Sequence, residues 1–300
     1  MDMQMDRREF LKLAGIGGVV FLSGLNTSAQ ALALPKGKDF YFVQMSDTHW
    51  GFEGAKTNPD AKGTLIKAVQ EVNSLSQKPE FIVFTGDLTQ IADETNVRQA
   101  RMKEFKEIVS QFDVKKVYFM PGEHDASLDK GETYKEFFGD THYSFDHNGV
   151  HFVAIDNVSD PRGKIGEEQL EWIKADLSKQ SRNANIVVLT HRPLFDLYPA
   201  WEWFTPDGAK AIELLMPYNN VTVFYGHIHQ EHHHMTGHIA HHSAKSLMMP
   251  MPLAGSMPKR QPIPWSESEP YKGLGFRNVL SRSKANAFEL AEYGIDRTIS

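Results

Sequence analysis

Five short apolar runs in this chain each end on residues that bind metal or move a proton, and that repeated pattern restricts the fold more than any other feature. The central run is KVYFMPGEHD, in which the apolar stretch from Val117 stops at Pro121-Gly122 and delivers Glu123, His124 and Asp125 in succession. YFVQMS leads into Asp47 and His49, FIVFTG into Asp87, NIVVLT into His191, and VTVFYG into His227 and His229. Such runs of β-branched and aromatic residues read as buried strands of a largely parallel α/β sheet. In an open α/β sheet the ligand lies beyond the carboxyl ends of the strands, so the five tips are expected to converge on one site.

The chemistry at that site is bounded by composition. The chain has 300 residues with fourteen histidines and no cysteine, which removes disulfides and thiolate metal sites and leaves imidazole and carboxylate as the strong ligands. A formal charge of -6, with no sustained basic run, speaks against a grip on nucleic-acid backbone.

Residues 1–33 read as a targeting segment. Asp6-Arg7-Arg8-Glu9-Phe10-Leu11-Lys12 precedes an apolar, glycine-rich stretch from Leu13 to Leu25, too short for the roughly 20 residues that span a bilayer. Ala29-Gln30-Ala31 and Ala31-Leu32-Ala33 supply the small-x-small pattern of a cleavage site. The segment resembles a twin-arginine export signal. That resemblance implies the twin-arginine translocation machinery as a partner, a periplasmic or otherwise exported location, and a mature chain of residues 34–300 with no membrane span.

In the mature chain, strand and helix patterns alternate. Residues 40–45 read as a strand, 63–76 as an amphipathic helix on Leu65, Ile66, Val69 and Val72, 81–84 as a strand and 94–112 as a second helix. After a short helix at 133–138, residues 143–145 and 150–155 read as antiparallel strands turned through Asn148-Gly149. A helix from Gly166, a strand at 186–189, a helix at 209–216 and a strand at 221–225 follow. The aromatic loop 192–206 reads as a packed flap, with the rim of a pocket as the alternative. Residues 230–243 form a His-rich hairpin in which His232 and His234 share a face and His233 points away. His238, His241 and His242 lie on its return, where a further metal site is the alternative to a hydrogen-bonded hairpin. The C-terminal part, 248–300, begins as a proline- and methionine-rich wrap, and residues 275–280 and 287–292 read as closing edge strands.

The blocks Asp47-x-His49, Gly86-Asp87, Gly122-x-His124-Asp125, His191 and Gly226-His227-x-His229 resemble, in order and spacing, those of the calcineurin-like metallophosphoesterases. The resemblance spans about residues 40–230. It implies a four-layer αββα sandwich of two mixed β-sheets flanked by helices, with a dinuclear metal centre at the strand tips. It implies Asp47, His49 and His229 as ligands of a first metal, Asp87 as the bridge, and His191 and His227 on a second. It further implies His124 as the group that assists the leaving oxygen, with Asp125 orienting its ring.

The cofactors expected are two metal ions, divalent such as Mn, Fe or Zn, or a mixed Fe3+/divalent pair. Such a pair generates a hydroxide between the ions that attacks a small phosphate ester. The opening Asp-x-His and the stretch through Gln169-Leu170 and Trp172 are more similar to the cyclic-nucleotide phosphodiesterase branch, which favours diesters. Gln90 stands where purple acid phosphatases carry a tyrosine ligand. Glu123 stands where the family pattern has a metal-binding asparagine. With the His-rich hairpin, it motivates the alternative of a non-hydrolytic periplasmic metal-binding or interaction protein.

Overall fold

Alternation along the strands explains why the chain stacks four layers. The computed structural model describes residues 19–21, 37–283 and 287–295. In β2 (Phe40–Met45), Phe40 and Phe42 point to one side while Val43 and Met45 point to the other, and all are fully buried. β3 (Ile82–Thr85) repeats the split, with Ile82 and Phe84 on the side of Val43 and Met45. A strand apolar on both faces needs a cover on each.

The outer cover of the first sheet is helical. α1 (Ala61–Ser74) buries Leu65, Val69 and Val72, and α2 (Thr95–Val109) buries Met102 and Phe105. The inner cover is a second sheet, against which Phe40, Phe42 and Phe81 pack on Phe152 and Phe224. Phe42 and Phe81 stack at 4.9 Å, and Phe152 meets Phe81 edge-on at 5.5 Å. The second sheet is covered outside by α4 (Glu167–Leu177) and α5 (Gly208–Leu215) through Leu170, Ile173, Ile212 and Leu215. The result is the αββα sandwich expected.

With β1 (Val19–Phe21), β4 (Val117–Met120), β11 (Gly275–Arg282) and β12 (Ala287–Gly294), the first sheet runs β1-β12-β11-β2-β3-β4. The second comprises β5 (Tyr143–His147), β6 (Val150–Ile155), β7 (Asn185–Thr190), β8 (Asn220–Tyr225), β9 (His232–Thr236) and β10 (Ile239–Ser243), in the order β5-β6-β7-β8-β10-β9. Both are mixed: β2, β3 and β4 are parallel, as are β6, β7, β8 and β10, while β11 and β5 run antiparallel to their neighbours.

One expectation is corrected. Neither β11 nor β12 is an edge strand: β11 inserts between β2 and β12, an arrangement that surrounds its fully buried Arg277 with partners on several sides. Arg277 pairs with Glu292 of β12, donates to Gln44 of β2 at 3.3 Å and reaches the Ser243 carbonyl of the second sheet at 2.7 Å. β12 has β1 on its other side, in parallel register Val19↔Phe288 to Phe21↔Leu290. The rest of the expected targeting segment lies outside the described residues. No helix among the described residues is long and apolar enough to cross a membrane.

Candidate metal centre

The tips of β2, β3 and β4 from the first sheet and of β7 and β8 from the second meet at one end of the sandwich. Close approach there depends on glycine. Gly86 has φ +94, and a Cβ on it would lie 2.3 Å from His191 Nδ1; a Cβ on Gly226 would lie 1.9 Å from Ser46 Oγ. Asp47, His49, Asp87, His227 and His229 all hold left-handed backbone, with φ of 54, 41, 48, 67 and 55. Non-glycine residues adopt this region only where the surroundings enforce it, and such strain gathers at functional sites.

Two groups of donors result, each with its ligand atoms within 4.8 Å of one another: Asp47, His49, Asp87 and His229, and Asp87, Glu123, His191 and His227. Asp87 belongs to both, which is where a carboxylate bridging two ions must stand. Asp47, His49 and Asp87 come from one sheet, as does Glu123 at the start of the short α3 (Glu123–Ala126); His191, His227 and His229 come from the other.

The imidazoles fix what the groups can hold. His191 Nδ1 lies 2.7 Å from the Thr85 carbonyl, His229 Nδ1 2.8 Å from the Met249 carbonyl, His227 Nε2 3.2 Å from the Glu202 carbonyl, and His49 Nδ1 3.1 Å from Gln90 Oε1. A carbonyl oxygen only accepts, so each of these nitrogens carries the proton and the opposite nitrogen presents a lone pair inward. Those lone pairs meet other acceptors. His49 and His229 oppose Nε2 to Nε2 at 3.1 Å, His191 Nε2 meets Glu123 Oε2 at 2.9 Å, and His227 Nδ1 meets Glu123 Oε1 at 2.8 Å. His191 Nε2 and Glu123 Oε2 are buried without a hydrogen-bond partner. Acceptor against acceptor in a dry site is resolved by a cation, and the carbonyl-backed imidazoles are the outer partners that metal ligands carry. The residues fit two ions.

Electrostatics agree. Burial would raise the Asp87 carboxyl, as would Glu123, yet His191 and His124 hold it below the usual range. Burial likewise acts upward on Glu123, and His227 and His191 carry it well below. Burial pushes His49 down to about 3, so this ring stays neutral and able to ligate. Burial alone would lower His191 and His229, but Asp87 and Glu123 raise the first and Asp47 the second. Those rings crave positive charge, whether a proton or an ion.

Asp125 does not orient His124. Its two oxygens accept the backbone N–H groups of Leu88, Thr89 and Gly122 at 2.8–2.9 Å and the Thr89 hydroxyl at 2.9 Å. It therefore ties the β3 tip to the β4 tip, although burial and Asp87 push its carboxyl up to about 7. The His124 ring is set instead by Ile91, whose N–H donates to Nδ1 at 3.3 Å. Neutral His124 then carries its proton on Nε2, beside the His49 ring at 4.6 Å. The His124 backbone N–H donates to Asp87 Oδ1 at 2.9 Å.

The loop 192–206 is the packed flap. Trp201 and Trp203 bury against Tyr225 and Ile228, and Glu202 between them supplies the carbonyl behind His227. The hairpin pattern also appears: His234 stacks on Phe195 at 3.9 Å, while His233 meets His242 at 2.8 Å and Glu231 at 3.2 Å. His238 bonds the Tyr218 carbonyl at 2.7 Å. Among the described residues, three or more metal donors gather in the two groups above and not in the hairpin.

Sequence reasoning missed the acceptors behind the imidazoles. Three are backbone carbonyls, which leave no trace in residue type, while Gln90, read as the place of an absent ligand, is the partner of His49. It also missed Arg192, whose Nε lies 3.6 Å from Glu123 Oε2; a lone basic residue beside His191 was the available signal.

Comparison with known proteins places this geometry. Residues 40–231 match the model of the calcineurin-like phosphoesterase family. A probable glycerophosphodiester phosphodiesterase of Arcobacter nitrofigilis is 29% identical over 161 residues, covering 51% of this chain and 57% of that protein. A 3',5'-cyclic adenosine monophosphate phosphodiesterase of Haemophilus influenzae is 28% identical over 201 residues, covering 63% and 69%. A purple acid phosphatase from yellow lupin shares the fold at TM-score 0.64 and 15% identity, over 89% of this chain and 54% of that one. The chain thus spans little more than half of the first and last of these proteins. With the family match covering all five strand tips, the chain belongs to the calcineurin-like phosphoesterases.

Proposed function

We propose that this protein is a metal-dependent phosphoric ester hydrolase with a dinuclear centre, acting on phosphodiesters in preference to monoesters. The observation that carries the proposal is the set of four imidazoles, each with one nitrogen donating outward and a lone pair turned onto a shared carboxylate core. Two ions bound there would supply an activated water and neutralise charge developing on phosphorus.

The chain's own residues do the rest. His49, His229 and Asp47 fix one half of the site, His191, His227 and Glu123 the other, and Asp87 sets their separation. His124, oriented through Nδ1, offers its Nε2 proton to the departing ester oxygen, the task of a general acid. Glu123 adds a negative charge where an amide would add none, and that penalises a dianionic monoester more than a monoanionic diester. Relatives named as phosphodiesterases support the same preference.

The ordered His124 distinguishes this reading from a protein that only holds metal, since its ring belongs to neither donor group. Export by the twin-arginine route, on Arg7 and Arg8, with residues 34–300 working outside the cytoplasm, is part of the proposal. Elemental analysis of protein from an exporting host, run beside a panel of mono- and diesters, tests it. Two metals per chain with faster diester turnover is the expected result; metal without turnover of any ester would establish the binding protein instead.

A further inference from the structure

A second concavity lies against the first donor group. The irregular wrap that begins at Met248 folds over the loop after β2: Asn58 Nδ2 donates to the Met248 carbonyl at 2.7 Å, the Trp265 N–H reaches the Lys56 carbonyl at 3.1 Å, and the Tyr271 hydroxyl reaches Asp60 at 2.9 Å. Between these segments is a cavity of about 540 Å³. Pockets for small organic molecules fall in the range of about 300–1,000 Å³.

Three observations say what it takes. Its walls are apolar, built from Met248, Met251, Leu253, Ile263, Trp265 and Leu274. The large apolar side chains exposed on the described surface are Leu128, Met216, Leu253, Ile263 and Trp265, and the last three border this cavity, at 72%, 42% and 37% exposure. Apolar surface gathered in one concave place, rather than scattered, marks a binding site. Its rim carries Lys245 and Lys272 against Glu231 and Glu269, with Lys272 and Glu269 paired at 2.7 Å, so it has no excess charge to select a second phosphate.

Position supplies the link to chemistry. His229 stands in the cavity wall, with Nε2 turned to Asp47 at 3.3 Å and Nδ1 held by the carbonyl of Met249, next to the lining Met248. His229 is thus common to the cavity lining and the first donor group.

We propose that this cavity receives an alcohol substituent of the phosphate ester and selects substituents with an alkyl chain of several carbons or an aromatic ring. The proposal rests on the hydrolase reading above. Its test uses the metal-loaded full chain and two non-hydrolysable probes, methylphosphonate and hexylphosphonate, with binding followed by calorimetry. Dimethyl phosphate and hexyl methyl phosphate, neither of which carries an aromatic ring, serve in parallel for kinetics.

A fully buried methylene strengthens binding by a factor of about four, so even partial burial of the longer chain gives hexylphosphonate at least a roughly tenfold advantage. Leu253→Asp, at a side chain exposed enough to leave folding intact, should abolish most of that advantage, while methylphosphonate, which has no chain to place in the cavity, loses far less affinity than hexylphosphonate. Ile263→Asp should do the same. Equal affinity for the two probes, or an advantage that survives both substitutions, would overturn the proposal. If the advantage is present and lost as stated while no ester is hydrolysed, the cavity assignment stands and the hydrolase reading falls.

Discussion

Arg192 and Glu123 form an ion pair at the edge of the second donor group, with Nε 3.6 Å from Oε2 and both side chains mostly buried. Glu123 removes one unit of positive charge that a neutral amide would have left, and Arg192 offsets part of that loss from the flank. Full Coulomb attraction at this distance is about 4 kcal/mol at an effective dielectric near 20, and residual solvent reduces it, so effects of roughly tenfold are expected. Glu123→Asn should raise kcat/KM for a monoester relative to a diester by about that factor and reduce any preference for Fe3+ over divalent metal. Arg192→Met should shift the ratio the opposite way. An unchanged ratio and unchanged metal content in both variants would show that the pair does not set the charge of the centre.

His124→Ala and Asp87→Ala should separate chemistry from binding. The first removes a proton donor outside both donor groups and should lower kcat by about 10²–10⁴ with metal content near normal. The second removes the carboxylate common to both groups, so metal and activity should fall together. Elemental analysis beside steady-state kinetics decides, and metal loss in the His124 variant would reassign that residue as a ligand.

His241 makes stability depend on pH away from the centre. It is fully buried, neither ring nitrogen has a hydrogen-bond partner, and burial, helped by His234 and His232, pushes it down to about 3. The unfolded ring titrates near 6.5, so between those values the unfolded chain binds the extra proton. The stability it confers is present above about pH 6.5 and is lost as pH falls toward about 3. The linkage amounts to a few kcal/mol by order of magnitude. His241→Leu should therefore raise Tm more at pH 5 than at pH 8. Equal shifts at both pH values would rule out this residue as a source of the acid sensitivity.

Replacing Arg7 and Arg8 together by lysine keeps the charge but not the planar guanidinium fork. Export of the full chain should fall sharply in a fractionation assay. Periplasmic accumulation at the normal rate would remove the twin-arginine assignment.

The donors were legible in the sequence because each follows an apolar run, and strands deliver their last side chains to a common end. Helix and strand positions in the mature chain were legible for the same reason, with boundaries shifted by up to three residues, as at the end of α2. Sheet membership was not. That β10 lies parallel beside β8, or that β11 enters between β2 and β12, depends on contacts across long stretches of chain, such as Arg277 with Gln44 and Ser243. Asp125 was placed in the right spot with the wrong partner, because a backbone N–H carries no residue signature and three of them outcompeted the imidazole. The cavity was illegible for a related reason: Met248 to Pro264 has no period, and its shape comes from side chains meeting the loop at Asn58.

The flap gives the protein a gauge of its own state. Trp201 and Trp203 cross at 5.1 Å and 88°, and the residue between them, Glu202, is held at φ 61 with its carbonyl on His227. Any change in the pull on His227 is thus delivered through one peptide to two indoles. Intrinsic fluorescence should follow filling of the second half of the centre, without a label and without a substrate.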